Sequence, residues 1–502
     1  MPDPWRLPPR RVPAPTRSTD DRSPTSNPET SGHEPRVPRS YANREDEVAR
    51  GVRLASAVIA ALALCGDAYA ESAQELEDQI LARDDRIEAL EQKLDTVIEE
   101  LARVRTQVAV PDEPDLKSVY GFGPAASKIY GVERGLSIGG YGEFFYRNFI
   151  GDAGSGSDSV GGLPISDRQL DRADFLRLVA YLGYKFTDRI IFNSEIEFEH
   201  AKTGSSSTSA GSGSVSVEFA ALDFLWKEKV NARAGLLLLP MGFVNEIHEP
   251  PFFNGVQRPE TELRIIPSTW RENGAGIFGR LSETLEYRAY VVTGFNARGF
   301  SDAGVRGGRQ NGNRALAEDL AFVARLDWTP TPELLLGGSF YRGGSGQNQE
   351  LDGVDIPDAD LTIFEVHGQY RRGPLEARGL FAMSSLSDAR DLNLALDPLS
   401  NRPPIADKML GGYAEVAYDI WPMLFNNSEK SLTPFLRIEY VDTQYEVPSG
   451  FTPNRRNSYW LYTPGISFKP HPNVVLKLEY RNFDTRGGER PDELSIGMGF
   501  AF

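Results

Sequence analysis

Beyond residue 134, short amphipathic segments alternate with two kinds of connection, and this rhythm constrains the fold more than any other feature. Successive segments are joined in turn by short turns, such as 187–188 and 282–283, and by long polar loops, such as 240–271. A bilayer requires every backbone N–H and C=O to be paired, so only helices and closed barrels can cross it. Short turns on one side and long loops on the other are typical of a transmembrane barrel. The sequence therefore predicts an all-β transmembrane barrel of sixteen antiparallel strands over residues 135–502.

The sixteen predicted strands can be placed by residue, with one irregular connection at 421–431, which should be a short turn and is longer. In chain order the strands run near 135–149, 173–186, 189–200, 214–226, 230–239, 272–281, 284–295, 318–328, 333–343, 360–371, 373–385, 409–420, 432–445, 457–468, 473–483 and 492–502.

Two patterns support these strands. Side chains alternate with a period of two, so that in strand 189–200 Ile196 and Phe198 share one face while acidic residues occupy the other. With the apolar face outward, the strands that run towards the short turns end on a row of residues, six of which are aromatic, as expected for a girdle at the membrane interface. That row consists of Phe186, Trp226, Leu281, Trp328, Tyr370, Ile420, Phe468 and Phe502.

The last predicted strand ends flush with the chain. Its apolar face, which includes Ile496, Met498, Phe500 and Phe502, resembles the terminal signature that the barrel-assembly machinery of outer membranes recognises. Phe502 is therefore expected to engage that machinery. Pairing of this strand with the first one, 135–149, would remove both sheet edges and close the barrel.

Composition excludes several other classes of protein. The chain has 502 residues, 40% of them hydrophobic, and a net charge of -17, which gives no support for nucleic-acid binding. The single cysteine, Cys65, falls in a predicted leader, so the mature chain could form neither a disulfide nor a cysteine-based metal site. No motif indicates a cofactor.

The front of the chain is predicted to contain an extension and a leader. Residues 1–49 are rich in Pro, Ser, Arg and Asp with almost no apolar periodicity, and are predicted to be disordered. Residues 50–70 begin with basic residues, continue with an apolar run and end on Ala-Tyr-Ala, the order of a secretory signal peptide. An extension of this length before a leader is unusual, so the translation start is expected further in, at Val48 or Val52.

Residues 71–110 carry apolar side chains spaced alternately four and three apart, which predicts a periplasmic coiled coil. Leu94 and Leu101 at one seam position, with Val97 and Val104 at the other, favour three or four strands over two, and a homotrimer is predicted. A lone amphipathic helix packed on a domain is the alternative. Residues 111–134, which contain three prolines, are predicted to form a linker.

Two short motifs carry a family resemblance. The opening Gly139-Gly140-Tyr141-Gly142-Glu143 and the run from Arg233 to Phe243, together with the leader and the heptads, resemble the phosphate-selective porin O and P family of Gram-negative outer membranes. The resemblance covers roughly residues 71–502. It implies a trimeric, sixteen-stranded porin that passes small solutes by diffusion. It does not imply phosphate selectivity, because the arginine ladder and lysine cluster of members so named are not evident.

Charged residues of both signs fall on the predicted inner face of the strands, and the loop 240–271 adds more. In trimeric porins the corresponding loop folds inward and narrows the pore; an ordinary surface loop is the alternative. The wall charges could also pair across strands and merely keep the lumen wet. The candidate pore-lining and constriction residues are Arg177, Lys185, Glu195, Glu197, Glu199, Arg233, Glu246, His248, Glu249, Arg258, Glu260, Arg288, Arg325 and Arg437.

Three functions follow in order of support. The first is a porin that passes small hydrophilic solutes or anions across the outer membrane of a Gram-negative bacterium, with the barrel embedded in outer-membrane lipid and only a modest ion preference. The second is a tether that links the membrane to the cell wall through the coiled coil. An enzyme is remote, because the histidines are scattered and neither HExxH nor a nucleophile elbow occurs. No metal site is expected, since His248 and Glu249 alone are too few ligands.

Overall fold

The structure, a computed structural model, describes residues 70–108, 118–151, 171–201, 213–397, 402–425 and 429–502. The predicted disordered extension 1–49 and the signal peptide 50–70, apart from its last residue, lie outside the described residues. The chain divides into two compact units, Met1–Glu100 and Leu101–Phe502.

A single long helix, α1, runs from Ala70 to Val108. It covers the predicted coiled-coil segment 71–110 except for residues 109 and 110, which are not described. Along its described side chains the apolar seam is open to solvent: Leu90 and Leu94 are each 58% exposed and Val97 is 50% exposed. Association of this seam with another helix stays a prediction. Among the described residues, no helix is both long and apolar enough to cross a membrane.

The second unit is a closed antiparallel barrel. Its sixteen strands are joined in sequence order and closed by pairing of the first with the last, and a separate two-stranded hairpin, β10–β11, lies in one of the long loops. The strands are β1 Gly135–Ile150, β2 Arg172–Thr187, β3 Ile190–Glu199, β4 Val215–Lys227, β5 Val230–Leu238, β6 Arg271–Ser282, β7 Leu285–Thr293, β8 Leu320–Thr331, β9 Leu334–Gly343, β10 Glu350–Leu351, β11 Val354–Asp355, β12 Leu361–Arg372, β13 Leu375–Leu386, β14 Lys408–Tyr418, β15 Ser431–Glu446, β16 Ser458–His471, β17 Val474–Thr485 and β18 Asp492–Ala501.

Closure occurs where the sequence predicted it. β1 pairs with β18 from Tyr141 opposite Ala501 to Ile150 opposite Asp492, and the backbone N–H of Phe502 donates to the Gly140 carbonyl at 2.8 Å. All sixteen predicted barrel strands are present, and the prediction of a closed antiparallel barrel is confirmed. The hairpin β10–β11 was not predicted.

The strands form because their side chains separate by polarity onto two faces. In β2, Leu178 and Tyr184 are each 43% exposed on the outside, whereas the alternating Val179 and Tyr181 are buried inside. The same parity holds for the row at the strand ends, where Trp226 is 56% exposed. A continuous apolar surface of this kind is unfavourable in water and suits a hydrocarbon environment.

Several short helices lie in the segments before and between the barrel strands. The irregular connection 421–431 contains α5, a helical turn at Trp421–Leu424, and the Trp421 ring lies 4.3 Å from that of Phe425 and 5.6 Å from that of Phe468. This turn accounts for the extra length, and residues 426–428 are not described. The other short helices are α2 Lys128–Gly131, α3 Glu260–Arg264 and α4 Ala389–Leu396.

Part of the predicted linker 111–134 packs against the inner wall of the barrel, where residues 122–130 are buried or half-buried. Phe122, Ala126 and Ile129 are each at most 3% exposed. The Asn193 side chain donates to the Ala126 carbonyl at 3.0 Å, and the Lys185 ammonium donates to the Val132 carbonyl at 2.8 Å. A short segment that follows prolines is predicted from the sequence to be a linker. In the structure, the apolar side chains of this segment are buried against the inner face of the barrel.

Candidate pore interior

The connection between β5 and β6, residues 239–270, folds into the barrel. Its two ends are held together by Asn245, whose amide nitrogen donates to the carbonyls of Leu239 (2.6 Å) and Trp270 (3.0 Å). The Asn245 amide oxygen in turn accepts from the Trp270 backbone N–H at 2.6 Å. Trp270 is fully buried in an apolar cluster that includes Ile265. The loop therefore leaves and re-enters the wall at one point.

The middle of this loop reaches the far side of the barrel. The backbone N–H groups of Val256 and Gln257 donate to the Glu479 carboxylate of β17 at 2.8 and 3.0 Å. The N–H of Thr261 donates to Glu439 of β15 at 3.3 Å. β15 lies opposite β5 in the ring of strands, so the loop crosses the lumen.

A second inward segment, residues 118–131, meets the loop near the short-turn end of the barrel. The Ala125 N–H donates to the Glu249 carboxylate at 3.0 Å. Arg233 of β5 donates to the Asp223 carboxylate at 2.7 and 2.9 Å, and its guanidinium lies 4.0 Å from the centre of the Phe122 ring. Two predicted site residues, Arg233 and Glu249, thus hold this segment against the wall.

The acidic row predicted on β3 is divided among different partners. Glu195 and Glu197 are 0% and 2% exposed, and Glu197 lies 3.2 Å from the Arg177 guanidinium. Glu199 is half-buried and accepts from the Ser214 hydroxyl at 2.9 Å. Of the three glutamates, only Glu199 therefore presents an appreciable surface to water.

Most of the other predicted wall charges are also paired. Glu246 of the loop accepts from Arg288 at 2.7 Å, and Arg288 also contacts Asp327. Arg325 donates to Asp327 at 2.8 Å. These contacts agree with the alternative in which wall charges pair across strands, although several of the pairs run from wall to loop.

On the opposite wall the same arrangement recurs. Arg437 donates to Glu439 at 2.8 Å, to Glu415 at 3.2 Å and to the Gln257 carbonyl of the loop at 3.1 Å. Glu260 of the loop accepts from Arg481 at 2.6 Å. The inward loop is thus bound by charged side chains along its whole path.

Four arginines from two loops lie near one another, and two of them are incompletely paired. Arg258 and Arg264 of loop 239–270, and Arg306 and Arg309 of the connection between β7 and β8, are all half-buried. Burial and the neighbouring guanidiniums, chiefly that of Arg309, hold the pKa of Arg306 well below its usual range. Among the described residues, one terminal nitrogen of Arg258 and one of Arg306 are buried without a hydrogen-bond acceptor. These four side chains are called the arginine cluster.

A fully buried histidine joins the loop to β3 and β4. His248 Nε2 lies 3.2 Å from a carboxylate oxygen of Glu195 and 3.2 Å from one of Glu218. Its Nδ1 donates to the Asn245 carbonyl at 3.1 Å, which fixes the ring. Burial lowers the pKa of His248, but the two carboxylates outweigh this and raise it to about 10. Burial raises the pKa of the adjacent Glu249 to about 7.

Sequence reasoning placed the fourteen candidate residues inside the barrel or its loop but missed several partners. It did not select His367, Arg306 or Arg309, nor the inward course of residues 118–131. Strict alternation from the outward Trp226 would turn Glu218 outward, but a register shift opposite Glu195 and Ile196 places its side chain inside the barrel. No local pattern indicated Arg306 and Arg309, because they lie in an irregular loop.

Fold and interior together define a closed β-barrel with an apolar exterior and a polar, loop-filled lumen. No family model matches the chain. An uncharacterised protein of Aquifex aeolicus (strain VF5) is 37% identical over 385 residues, covering 75% of this chain and 82% of that protein. The chain belongs to the same family as this Aquifex protein.

Solved outer-membrane structures are similar in fold at low identity. The outer membrane channel DcaP of Acinetobacter baumannii aligns with a TM-score of 0.45 and 14% identity, over 73% of this chain and 97% of that one. Salmonella typhi OmpF, in complex with daunomycin, aligns with a TM-score of 0.43 and 12% identity, over 74% of this chain and 98% of that one. These likenesses concern the barrel alone.

Proposed function

We propose that this protein is an outer-membrane porin of a Gram-negative bacterium that lets small hydrophilic solutes or anions diffuse passively through its lumen. The observation that carries the proposal is the closed ring of sixteen strands, apolar outside and charged inside. An apolar band around a closed barrel suits lipid, and a charged lumen suits water and dissolved ions. Such a pore requires no chemistry beyond selective passage.

Anions are the ions that the interior favours. The wall charges were expected to give only a modest preference, because basic and acidic residues are nearly balanced there. That near balance of basic and acidic side chains was counted on the strands alone, whereas the four residues of the arginine cluster lie in loops. The guanidiniums of Arg258 and Arg306, which lack full pairing, attract anions, and rings of like charge set ion selectivity in pores. This supports a stronger anion preference than the strands alone would give.

The loop 240–271 is proposed to be the constriction. Its support is the path across the lumen, from the clamp at Asn245 to the contacts with Glu439 and Glu479. Held at both walls, the loop narrows the water-filled cross-section. Residues 118–131 would narrow it further towards the short-turn end.

The coiled-coil interpretation of 71–110 belongs to the same proposal. The seam of α1 exposes Ile87, Leu90 and Leu94, each by more than half. Apolar side chains in such a row gain most by packing against the same row of another copy. A homotrimer bundled by three such helices follows, and a tether to the cell wall through this helix is the second candidate function.

Three finer features remain part of the proposal. The leader at 50–70 would direct secretion, and Phe502 would present the terminal strand to the barrel-assembly machinery. Membership of the phosphate-selective porin O and P family rests on the motifs at 139–143 and 233–243. In the structure the Gly140 backbone pairs with Phe502, and Arg233 binds Asp223, so both motifs serve packing as well.

Conductance in planar bilayers tests the porin. The purified protein should give stepped openings, and a reversal potential measured across a KCl gradient should have the sign of an anion-preferring pore. Insertions that are correctly folded but electrically silent would overturn the proposal and favour the tether.

A further inference from the structure

The strongest unexplained feature of the interior is the group of Glu195, Glu218 and His248. Each residue offers one ligand atom, and these three atoms all lie within 4.8 Å of one another. The residues come from β3, β4 and the inward loop, and each is at most 1% exposed.

A proton on His248 leaves this group incompletely satisfied. The Nε2 atom lies 3.2 Å from Glu195 Oε1 and 3.2 Å from Glu218 Oε2, but one N–H cannot make two well-directed hydrogen bonds. Within the described residues, the Oε2 atoms of both Glu195 and Glu218 are buried without a hydrogen-bond donor. Buried carboxylate oxygens without a donor are costly, so a ligand that serves both is strongly favoured.

The geometry matches a metal ion better than a proton. Donor atoms placed 2.0–2.2 Å from a tetrahedral ion are about 3.4 Å apart, close to the two 3.2 Å separations around His248 Nε2. Metal-bound histidines commonly donate their other ring N–H to a carbonyl, as His248 Nδ1 does to Asn245. Arg271 donates to the Oε1 atom of Glu218 at 3.0 Å, which leaves Oε2 for an ion.

We infer that Glu195, Glu218 and His248 form a binding site for one divalent transition-metal ion, with Zn²⁺ as the probe. One imidazole and two carboxylates suit such an ion better than Ca²⁺ or Mg²⁺, which prefer oxygen ligands alone. The ion would fasten the inward loop to β3 and β4, and a solvent molecule would complete its coordination. This inference does not depend on whether the barrel conducts.

The chain contains a matched control. His367 of β12 also lies between two carboxylates, 2.9 Å from Glu365 and 3.1 Å from Asp327. There, however, the Arg325 guanidinium lies 2.9 Å from His367 Nε2 and donates to Asp327. A positive charge already occupies the place that an ion would take, so this second cluster is not expected to bind metal.

The test uses the untagged protein, purified in detergent, stripped with a chelator and titrated with Zn²⁺. Calorimetry and elemental analysis should give one Zn²⁺ per chain, and Ca²⁺ should not compete. His248→Gln should weaken binding by more than about 100-fold, because losing even an outer partner of a ligand costs 10–100-fold. His367→Gln should bind Zn²⁺ as the unmodified protein does.

A second readout covers the case in which His248→Gln does not fold. Co²⁺ added to the unmodified protein should give the visible absorption of a low-coordinate site, and equimolar Zn²⁺ should abolish it. Absence of stoichiometric Zn²⁺ or of this spectrum in the unmodified protein overturns the inference. The inference is also overturned if a folded His248→Gln variant, or a folded Glu195→Gln/Glu218→Gln double variant, binds Zn²⁺ as tightly as the unmodified protein. An equal loss of Zn²⁺ binding in His367→Gln would overturn it too.

Discussion

Arg481 of β17 donates a hydrogen bond of 2.6 Å to the carboxylate of Glu260, and this contact joins the far wall of the barrel to the inward loop across 221 positions of sequence. Glu260 also accepts from Arg264 at 3.0 Å and from the Tyr459 hydroxyl at 3.0 Å. One buried carboxylate therefore holds two guanidiniums and a wall tyrosine. The course of the loop through the lumen depends on contacts of this kind.

Glu260→Gln should release the loop from the far wall. Removing one partner of a buried charge pair leaves the other buried and unpaired, at a cost of about 3–5 kcal/mol. We expect a lower thermal unfolding temperature together with noisier and larger single-channel currents. Glu286→Gln is the control, because its partner Arg280 and Glu286 itself are nearly half exposed. Quiet, unchanged currents in a destabilised Glu260→Gln pore would mean that the contact stabilises the barrel without shaping the channel.

Deleting residues 246–266 should raise single-channel conductance. The barrel should still close, because β5 and β6 pair directly from Leu238 opposite Arg271 onwards. Removal of a segment that crosses the lumen widens the path for ions. Deletion of 350–355, the small hairpin in another loop, serves as the control and should leave conductance unchanged. Equal conductance of the two deletion variants would rule out the constriction.

Arg258→Gln combined with Arg306→Gln should weaken the anion preference. Both guanidiniums belong to the arginine cluster and are incompletely paired. The measurement is the reversal potential across a KCl gradient, which should move towards zero or the cation side. Arg342→Gln is the control: Arg342 is an exposed arginine paired with Asp360 at 3.0 Å. A charge more than about 8–10 Å from the ion path is screened at physiological salt.

Asp223→Asn should destabilise the barrel near its short-turn end. Arg233 would lose its carboxylate partner while remaining buried against Phe122, and the expected cost is about 3–5 kcal/mol. Denaturant unfolding in detergent measures the loss. Glu286→Gln, at an exposed pair, should cost less than about 1 kcal/mol. A similar cost for both variants would contradict the view that burial makes the Arg233 pair important.

Removing residues 71–110 should lower the thermal stability of the oligomer. The exposed apolar seam of α1 gains from association, and without it the barrels would be held only by their outer walls. Heat-dependent migration of the assembled and dissociated forms in detergent gels measures the change. Trimers that survive the deletion at the same temperature would leave the helix free for the tether function.

The sequence predicted the barrel wall well, for reasons visible in particular strands. In β3, Ile196 and Phe198 alternate with Glu195 and Glu197, and this alternation predicts that the acidic face of the strand points into the barrel. The same alternation placed the nine strand candidates on the inner wall, and the other five lie in the loop. Polarity of neighbouring side chains is local information, and closure of the barrel gives every strand one inner and one outer face.

The interior was less predictable. The sequence indicated a linker at 111–134, of which residues 122–130 cover the inner wall. It also indicated an acidic row at β3, whose members contact Arg177, His248 and Ser214. It gave no reason to associate His248 with Glu218, since neither spacing nor motif connects a loop histidine with an inward carboxylate thirty residues earlier. These partners meet only after the ring has closed.

The sequence by itself determined the number and orientation of the barrel strands and the pairing of the first with the last. Only the tertiary structure decided which charges pair, where the loop 239–270 runs, and which side chains surround His248. The physical reason is the distance along the chain over which each feature is determined. Strand periodicity is set within a few residues, whereas contacts across the lumen depend on the curvature of the closed wall, which brings together residues such as Glu260 and Arg481 from distant parts of the chain.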